Sequence, residues 1–120
     1  MYNSVWYDSD YLVAVYMQRL LEDLLYTYGV DLAFYGHYHS YERTCAVYKE
    51  KCVEDGVVHI TVGNAGMSKD WEFWYGKKWS VARISDYGYG RVAVANSTAL
   101  LFEVVINRHG NVFDHMWLHK

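Results

Sequence analysis

An α/β fold that turns β-rich in its second half is predicted by three features of this 120-residue sequence. A stretch with helical apolar spacing lies near the start, a short apolar run follows it directly, and beyond Val58 the apolar spacing changes to a two-residue repeat. No internal repeat or low-complexity stretch interrupts this order, so one domain, or a piece of one, is expected.

From Asp10 to Tyr28, Leu12, Val15, Tyr16, Leu20, Leu21, Leu24, Leu25 and Tyr28 recur at helical spacing, with Arg19, Glu22 and Asp23 on the opposite side. That is the pattern of an amphipathic helix packed through its apolar stripe. Asp8 or Ser9 can cap its start, and Gly29 can take the left-handed turn that ends it. Residues 30–35 then read as a short, mostly apolar strand, and "GHYHSYER" follows at once. Cys45 and Cys52 flank "AVYKEK", a spacing that suits a hairpin tied across its base, with two free thiols as the alternative. Pairing would close an eight-residue loop and add about 2.5 kcal/mol on the chain-entropy argument.

Val58, Ile60 and Val62 alternate with His59 and Thr61, and Leu100, Phe102, Val104 and Ile106 alternate with Leu101, Glu103 and Val105; both read as strands. Residues 63–79 show no clean period and read as a long loop, too aromatic for disorder. "GYG" at Gly88–Gly90 is expected to open one turn and "NRHGN" at Asn107–Asn111 to make another. A single early helix would leave most of the sheet covered on one side, so the chain reads as incomplete at its N-terminus.

Apolar residues make up 52% of the chain, with 13 tyrosines, 5 tryptophans and 4 phenylalanines, enough for a true core. The formal charge of -3, with no cluster of lysine or arginine, argues against nucleic acid or an anionic membrane as partner. No apolar run approaches the ~20 residues needed to cross a bilayer, and the first four residues lack the basic and apolar regions of a signal peptide. Asn96-Ser97-Thr98 is a glycosylation acceptor triplet, which fits the same oxidising, secretory setting as a disulfide.

Imidazole binds zinc or iron while neutral and is aimed through its second nitrogen. In a β conformation His37 and His39 would share a face. If the chain bends at Gly36, the two rings can approach different ions, as in a two-metal site with ions about 3.5–4 Å apart. Polar turn residues capping carbonyls are one alternative, and a single ion held by His37, His39 and Glu42 is another.

The surroundings of the pair carry a resemblance. "VDLAFYGHYHSYERTC" resembles the closing metal-binding motif of the purple acid phosphatases, in the metallophosphoesterase superfamily: an apolar strand followed by GHxHxYER. "MYNS" resembles the segment that follows a metal-binding histidine. "TCAVYKEKC" is similar to the cysteine-bracketed hairpin, with Ala46 where many members have proline, and "VVHITVGNAG" to a strand and loop, with His59 at a tyrosine position. "KWSVARISDYGYGRVAVANSTALLFEVV" and "NVFDHMWL" resemble the C-terminal strands, sequon included.

This resemblance implies that residues 1–120 are the C-terminal part of a purple acid phosphatase-like catalytic domain, a four-layer α/β/β/α sandwich, with the N-terminal metal-binding half absent. The implied activity is hydrolysis of phosphate monoesters, small-molecule substrates, at acid pH by a dinuclear centre of Fe(III) with Zn(II), Mn(II) or Fe(II). His37 would ligate the divalent ion and His39 the ferric ion; the family's GDxG, GDxxY and GNHE motifs do not occur in this chain. Tyr41, Glu42 and Arg43 would fix the ligand loop, Arg43 through a planar fork of bonds. Cys45 and Cys52 would be bridged, Asn96 glycosylated, and the protein secreted or held in the secretory pathway, lysosome or vacuole.

No general acid is assigned. Where many members carry histidines, this chain has "VWYDSDY", and Asp8 or Asp10 would serve only by facing the site; helix capping is the expected role. Two imidazoles under-coordinate a dinuclear centre, so the isolated chain is expected to be inactive, with a truncated non-catalytic metal-binding or structural module as the alternative. His59, His109, His115 and His119 are expected on the surface or a sheet face. Trp71, Phe73, Trp74, Tyr75 and Trp79 are expected to pack the long loop.

Overall fold

Helix α1 (Asp8–Thr27) closes through Gly29 at φ 62° and leads directly into β1 (Leu32–Tyr35), as the apolar spacing predicts. The computed structural model describes residues 1–5, 8–69 and 73–120; Trp71 and the side chains of Asp8 and Ser9 lie outside the described residues. After β1 come β2 (Tyr41–Tyr48) and β3 (Lys51–Cys52), which form the expected hairpin, then β4 (Val57–Val62), β5 (Ser80–Ile84), β6 (Gly88–Asn96), β7 (Ala99–Ile106) and β8 (Val112–His119).

In the first sheet β4 lies between β1, to which it is parallel, and β2, to which it is antiparallel; β3 and β5 pair along the other edge of β2. The second sheet is the antiparallel meander β6-β7-β8. Alternation in β4 and β7 turns Val58 and Ile60 against Phe102, Val104 and Ile106, with Tyr41 among them, and this is the inter-sheet core. On the opposite face of the first sheet lie α1 and the N-terminal segment, where Tyr2 packs with Val47 and Trp79. The described residues therefore stack as α/β/β, three layers of the expected sandwich.

Three expectations are corrected. Gly88 and Gly90 lie within β6 rather than in a turn. A Cβ on Gly88 would stand 2.5 Å from the Val105 carbonyl, so its glycine serves close strand approach. The turn that joins β6 to β7 is instead Ser97-Thr98, inside the sequon. The bend before the second histidine also falls at His37, at φ 76°, and not at Gly36.

The third correction concerns α1. Ala14 is buried and Gln18, Leu21, Glu22, Leu25 and Tyr26 are half-buried, whereas Leu12, Tyr16, Leu20, Leu24 and Tyr28 of the predicted stripe are exposed. Hydrogen bonds tie the acidic flank to the N-terminal segment and the β2–β3 hairpin: Glu22 accepts from the Tyr2 hydroxyl and from the Lys49 amide (2.8 Å), and the exposed Asp23 accepts from the Tyr48 hydroxyl (2.8 Å). Periodicity locates a stripe; it does not say which side finds partners.

Candidate functional site

Parallel strands β1 and β4 end at the same edge of their sheet, and the segments that leave them, residues 36–40 and 63–69, lie side by side. A crevice beyond the carboxyl ends of parallel strands is where α/β sheets commonly bind ligands. The contact is close: Gly63 donates its amide to the Ser40 carbonyl at 3.2 Å, and a Cβ on Gly63 would fall 1.8 Å from the Tyr38 carbonyl oxygen. Only glycine lets this loop seat the chain that carries both histidines.

His37 occupies the centre of a γ-turn, with the Tyr38 amide donating to the Gly36 carbonyl at 3.1 Å. A non-glycine residue at that φ carries backbone strain of about 1–3 kcal/mol, a feature that gathers at functional sites. The His37 ring is exposed, and its Nε2 stands 3.3 Å from Asp10 Oδ2. Asp10 sits inside the first turn of α1 and faces the histidine, so its observed role is not that of a helix cap. The spacing alone does not reveal this, because the contact depends on α1 running back along β1. His39 is half-buried.

The residues after the histidines alternate between two faces of β2. Tyr41 and Arg43 turn into the inter-sheet core, where Arg43 donates from Nε (2.7 Å) and Nη2 (2.9 Å) to the two oxygens of Asp114 and the Tyr41 hydroxyl donates to the same carboxylate. Burial raises the Asp114 carboxyl, but the Arg43 and Tyr41 bonds outweigh it and hold the group below the ordinary carboxylate range. Burial also pushes the Tyr41 hydroxyl far up, so it remains a donor. Arg43 thus closes its fork on a carboxylate, with little of either side chain exposed.

Glu42 turns the other way. It is fully buried and accepts from the Ser4 amide (2.7 Å), the Ser4 hydroxyl and the Ser80 hydroxyl (2.5 Å). Burial raises its carboxyl, and those bonds together with Arg83 only partly offset the rise. Because that carboxylate ties the N-terminal segment to β2 and β5, it is spent on the fold and cannot join the two histidines at an ion. Sequence reasoning missed Asp114 and Ser4 as the partners of Arg43 and Glu42.

Among the described residues no group of three or more histidine, cysteine, aspartate or glutamate side chains is placed to hold a metal ion. His37 and His39 have the donor chemistry of metal ligands, but two imidazoles do not satisfy an ion that takes four to six. The residues present therefore fit a contribution to a metal centre and not the whole of one. Elsewhere, His109 accepts from the Asn111 amide at 3.2 Å, and His115 and His119 are exposed. His59 is buried on the sheet face beneath Tyr2 and Tyr35.

Trp79 packs edge-on against Tyr2, Trp74 pairs with Val5 and lies under Arg83, and the Tyr75 amide donates to Ser4. Cys45 and Cys52 are joined by a disulfide, with Cα atoms 5.7 Å apart. Asn96 is exposed at the tip of the β6–β7 hairpin, its Oδ1 accepting from the Thr98 amide (2.9 Å) and hydroxyl (3.0 Å).

Residues 56–115 match the family described as iron/zinc purple acid phosphatase-like protein C. Probable inactive purple acid phosphatase 24 of Arabidopsis thaliana is 36% identical over 120 residues, covering 91% of this chain and 20% of that protein. Acid phosphatase type 7 of Homo sapiens is 33% identical over 111 residues, covering 82% of this chain and 25% of that protein. Among solved structures, the purple acid phosphatase PPD1 from yellow lupin (Lupinus luteus) seeds is similar with a TM-score of 0.77 and 30% identity, over 82% of this chain and 19% of that one. The chain spans a quarter or less of the length of each of these proteins.

Proposed function

Because the chain belongs to the purple acid phosphatase family, we propose that residues 1–120 are the C-terminal part of its catalytic domain and carry His37 and His39 as ligands of a dinuclear centre that hydrolyses phosphate monoesters. The observation that carries this reading is the strained γ-turn that places His37, two residues before His39, at the carboxyl edge of the parallel strands β1 and β4. When bound, an Fe(III) ion with Zn(II), Mn(II) or Fe(II) would supply a hydroxide nucleophile and neutralise charge on the phosphate oxygens.

The chain's own residues do the positioning. Gly63 seats the histidine loop, Asp10 orients the His37 ring through Nε2, and Glu42 fixes the segment that leads into α1 and so into Asp10. Arg43 and Tyr41, locked on Asp114, hold the start of β2 and with it the loop's downstream end. The Cys45–Cys52 bridge and an exposed acceptor at Asn96 support passage through an oxidising, secretory compartment.

The test is made on the complete reading frame. His37→Ala or His39→Ala is expected to lower hydrolysis of a chromogenic phosphate ester by about a hundredfold or more, with the far-ultraviolet circular dichroism unchanged. Unchanged turnover in either folded variant rejects the ligand assignment.

A second reading, a non-catalytic metal-binding or structural module, is favoured by the absence of a three-donor cluster among the described residues and by a relative named probable inactive. It requires that no phosphate ester be turned over at any pH, even by the complete reading frame with iron and zinc supplied.

A further inference from the structure

A second concavity lies on the same edge as the histidines. Ala65, Gly66, Lys69, Asp86, Tyr87, Asn107 and Arg108 line an open depression of about 730 Å³. Its wall begins at the loop that Gly63 seats on Tyr38, so Ala65 and Gly66 are two and three residues from that contact. That separation is at most about 10 Å along an extended chain.

The charge balance in the depression is uneven. Asp86 meets two cations: Arg108 Nη2 stands 2.6 Å from its Oδ2 and Lys69 Nζ 3.7 Å from its Oδ1. One carboxylate offsets one of them, which leaves a net positive charge at the depression. The carboxylate is also held by the Tyr87 amide at 2.9 Å and by its own backbone, whose carbonyl accepts from the buried Asn64 amide group at 2.7 Å. Asp86 is therefore a fixed strut that aims its partners.

Those partners keep donors to spare. The Arg108 side chain is 72% exposed and uses one nitrogen on Asp86, while Lys69 lies loosely over the Tyr87 ring at 5.4 Å from its centroid. Two adjacent cations with outward N–H groups suit an anion that offers several oxygens at once, as phosphoryl groups do.

We propose that this depression is an outer substrate subsite that takes a second phosphoryl group of the phosphate ester whose scissile group lies at His37 and His39; the proposal rests on the phosphatase reading above. Lys69 and Arg108 bind that group, and Asp86 positions them. The substrate class this selects is an ester bearing more than one phosphate, in preference to one bearing a single phosphate.

The test titrates the 120-residue chain with sodium pyrophosphate at low ionic strength in a metal chelator, so that no ion at the histidines contributes. Pyrophosphate is expected to bind with amide shifts at Gly66, Tyr87 and Asn107 in the nuclear magnetic resonance spectrum. Lys69→Gln or Arg108→Gln should each weaken binding roughly tenfold, and the pair together should abolish it, with Arg108→Lys recovering most of the loss. His37→Ala with His39→Ala should leave pyrophosphate binding unchanged.

Absence of binding by the unaltered chain overturns the proposal. So do unchanged affinity in the folded Lys69→Gln/Arg108→Gln variant and loss of binding in the histidine variant alone. A parallel zinc titration reports the histidines separately: zinc binding lost with His37 and His39 but indifferent to Lys69 and Arg108 leaves the phosphatase reading standing even where the subsite fails.

Discussion

His59 stands between two tyrosines, with ring centroids 4.9 Å from Tyr2 and 5.6 Å from Tyr35, and its Nδ1 lies 3.0 Å from the Tyr35 hydroxyl. Burial raises that hydroxyl to about 12, so it stays protonated and shares a hydrogen bond with Nδ1 whose direction follows the imidazole tautomer. Burial also lowers His59 from 6.5 to about 4. The folded imidazole refuses a proton that the unfolded one accepts, so its contribution to stability is complete above pH 6.5 and is lost as pH falls toward 4. Removing the titration with His59→Phe is expected to flatten the unfolding free energy between those pH values by roughly 3 kcal/mol, read from urea midpoints across the range. A slope identical to that of the parent chain contradicts the assignment. Glu42 acts with the opposite sign: its raised carboxyl favours the fold at low pH and loses that advantage as pH rises through the folded value.

At the scale of elements, the β2–β3 hairpin depends on a turn that its own residues do not favour. Lys49 and Glu50 adopt φ of 48° and 62°, a pairing for which Asn-Gly is the usual choice. Three outside supports hold it: the Cys45–Cys52 bridge, the Lys49 amide bonded to Glu22, and the Glu50 amide bonded to the Tyr2 hydroxyl at 2.7 Å. Replacing both cysteines by serine is expected to cost about 2.5 kcal/mol in chemical denaturation. A thiol reductant should reproduce that loss in the parent chain and leave the variant unchanged; a reductant effect on the variant would place the stabilisation elsewhere.

Across the whole molecule, the two sheets close one core while α1 presents Leu12, Tyr16, Leu20, Leu24 and Tyr28 to solvent, each at least half exposed. A contiguous apolar stripe of this kind binds hydrophobic dyes and promotes association. Leu20→Gln with Leu24→Gln is expected to lower dye binding by the folded chain several-fold while shifting unfolding by no more than about 1 kcal/mol, since neither residue gives up a buried position. A large loss of stability would show instead that the stripe is packed.

Much of the candidate site was legible locally. The helix, β1, the hairpin, β4, β7 and the turn after it follow from spacing and turn chemistry, and the family resemblance rests on a run of residues around His37 and His39 that is contiguous in the chain. The partners were not legible in the same way. Arg43 meets Asp114 across 71 positions and Glu42 meets Ser4 across 38, separations at which a one-dimensional pattern carries no information about which side chains converge.

By itself, then, the sequence determined most of the elements, β5 and the start of β6 excepted, and the donor types, because backbone preference and apolar period act over a few residues. Only the tertiary structure decided the inward face of α1, the bend at His37 rather than Gly36, and the placing of Asp10 beside that ring. Each of these is settled by which polar groups find partners and which backbones approach most closely once the layers close, and neither condition exists before they do.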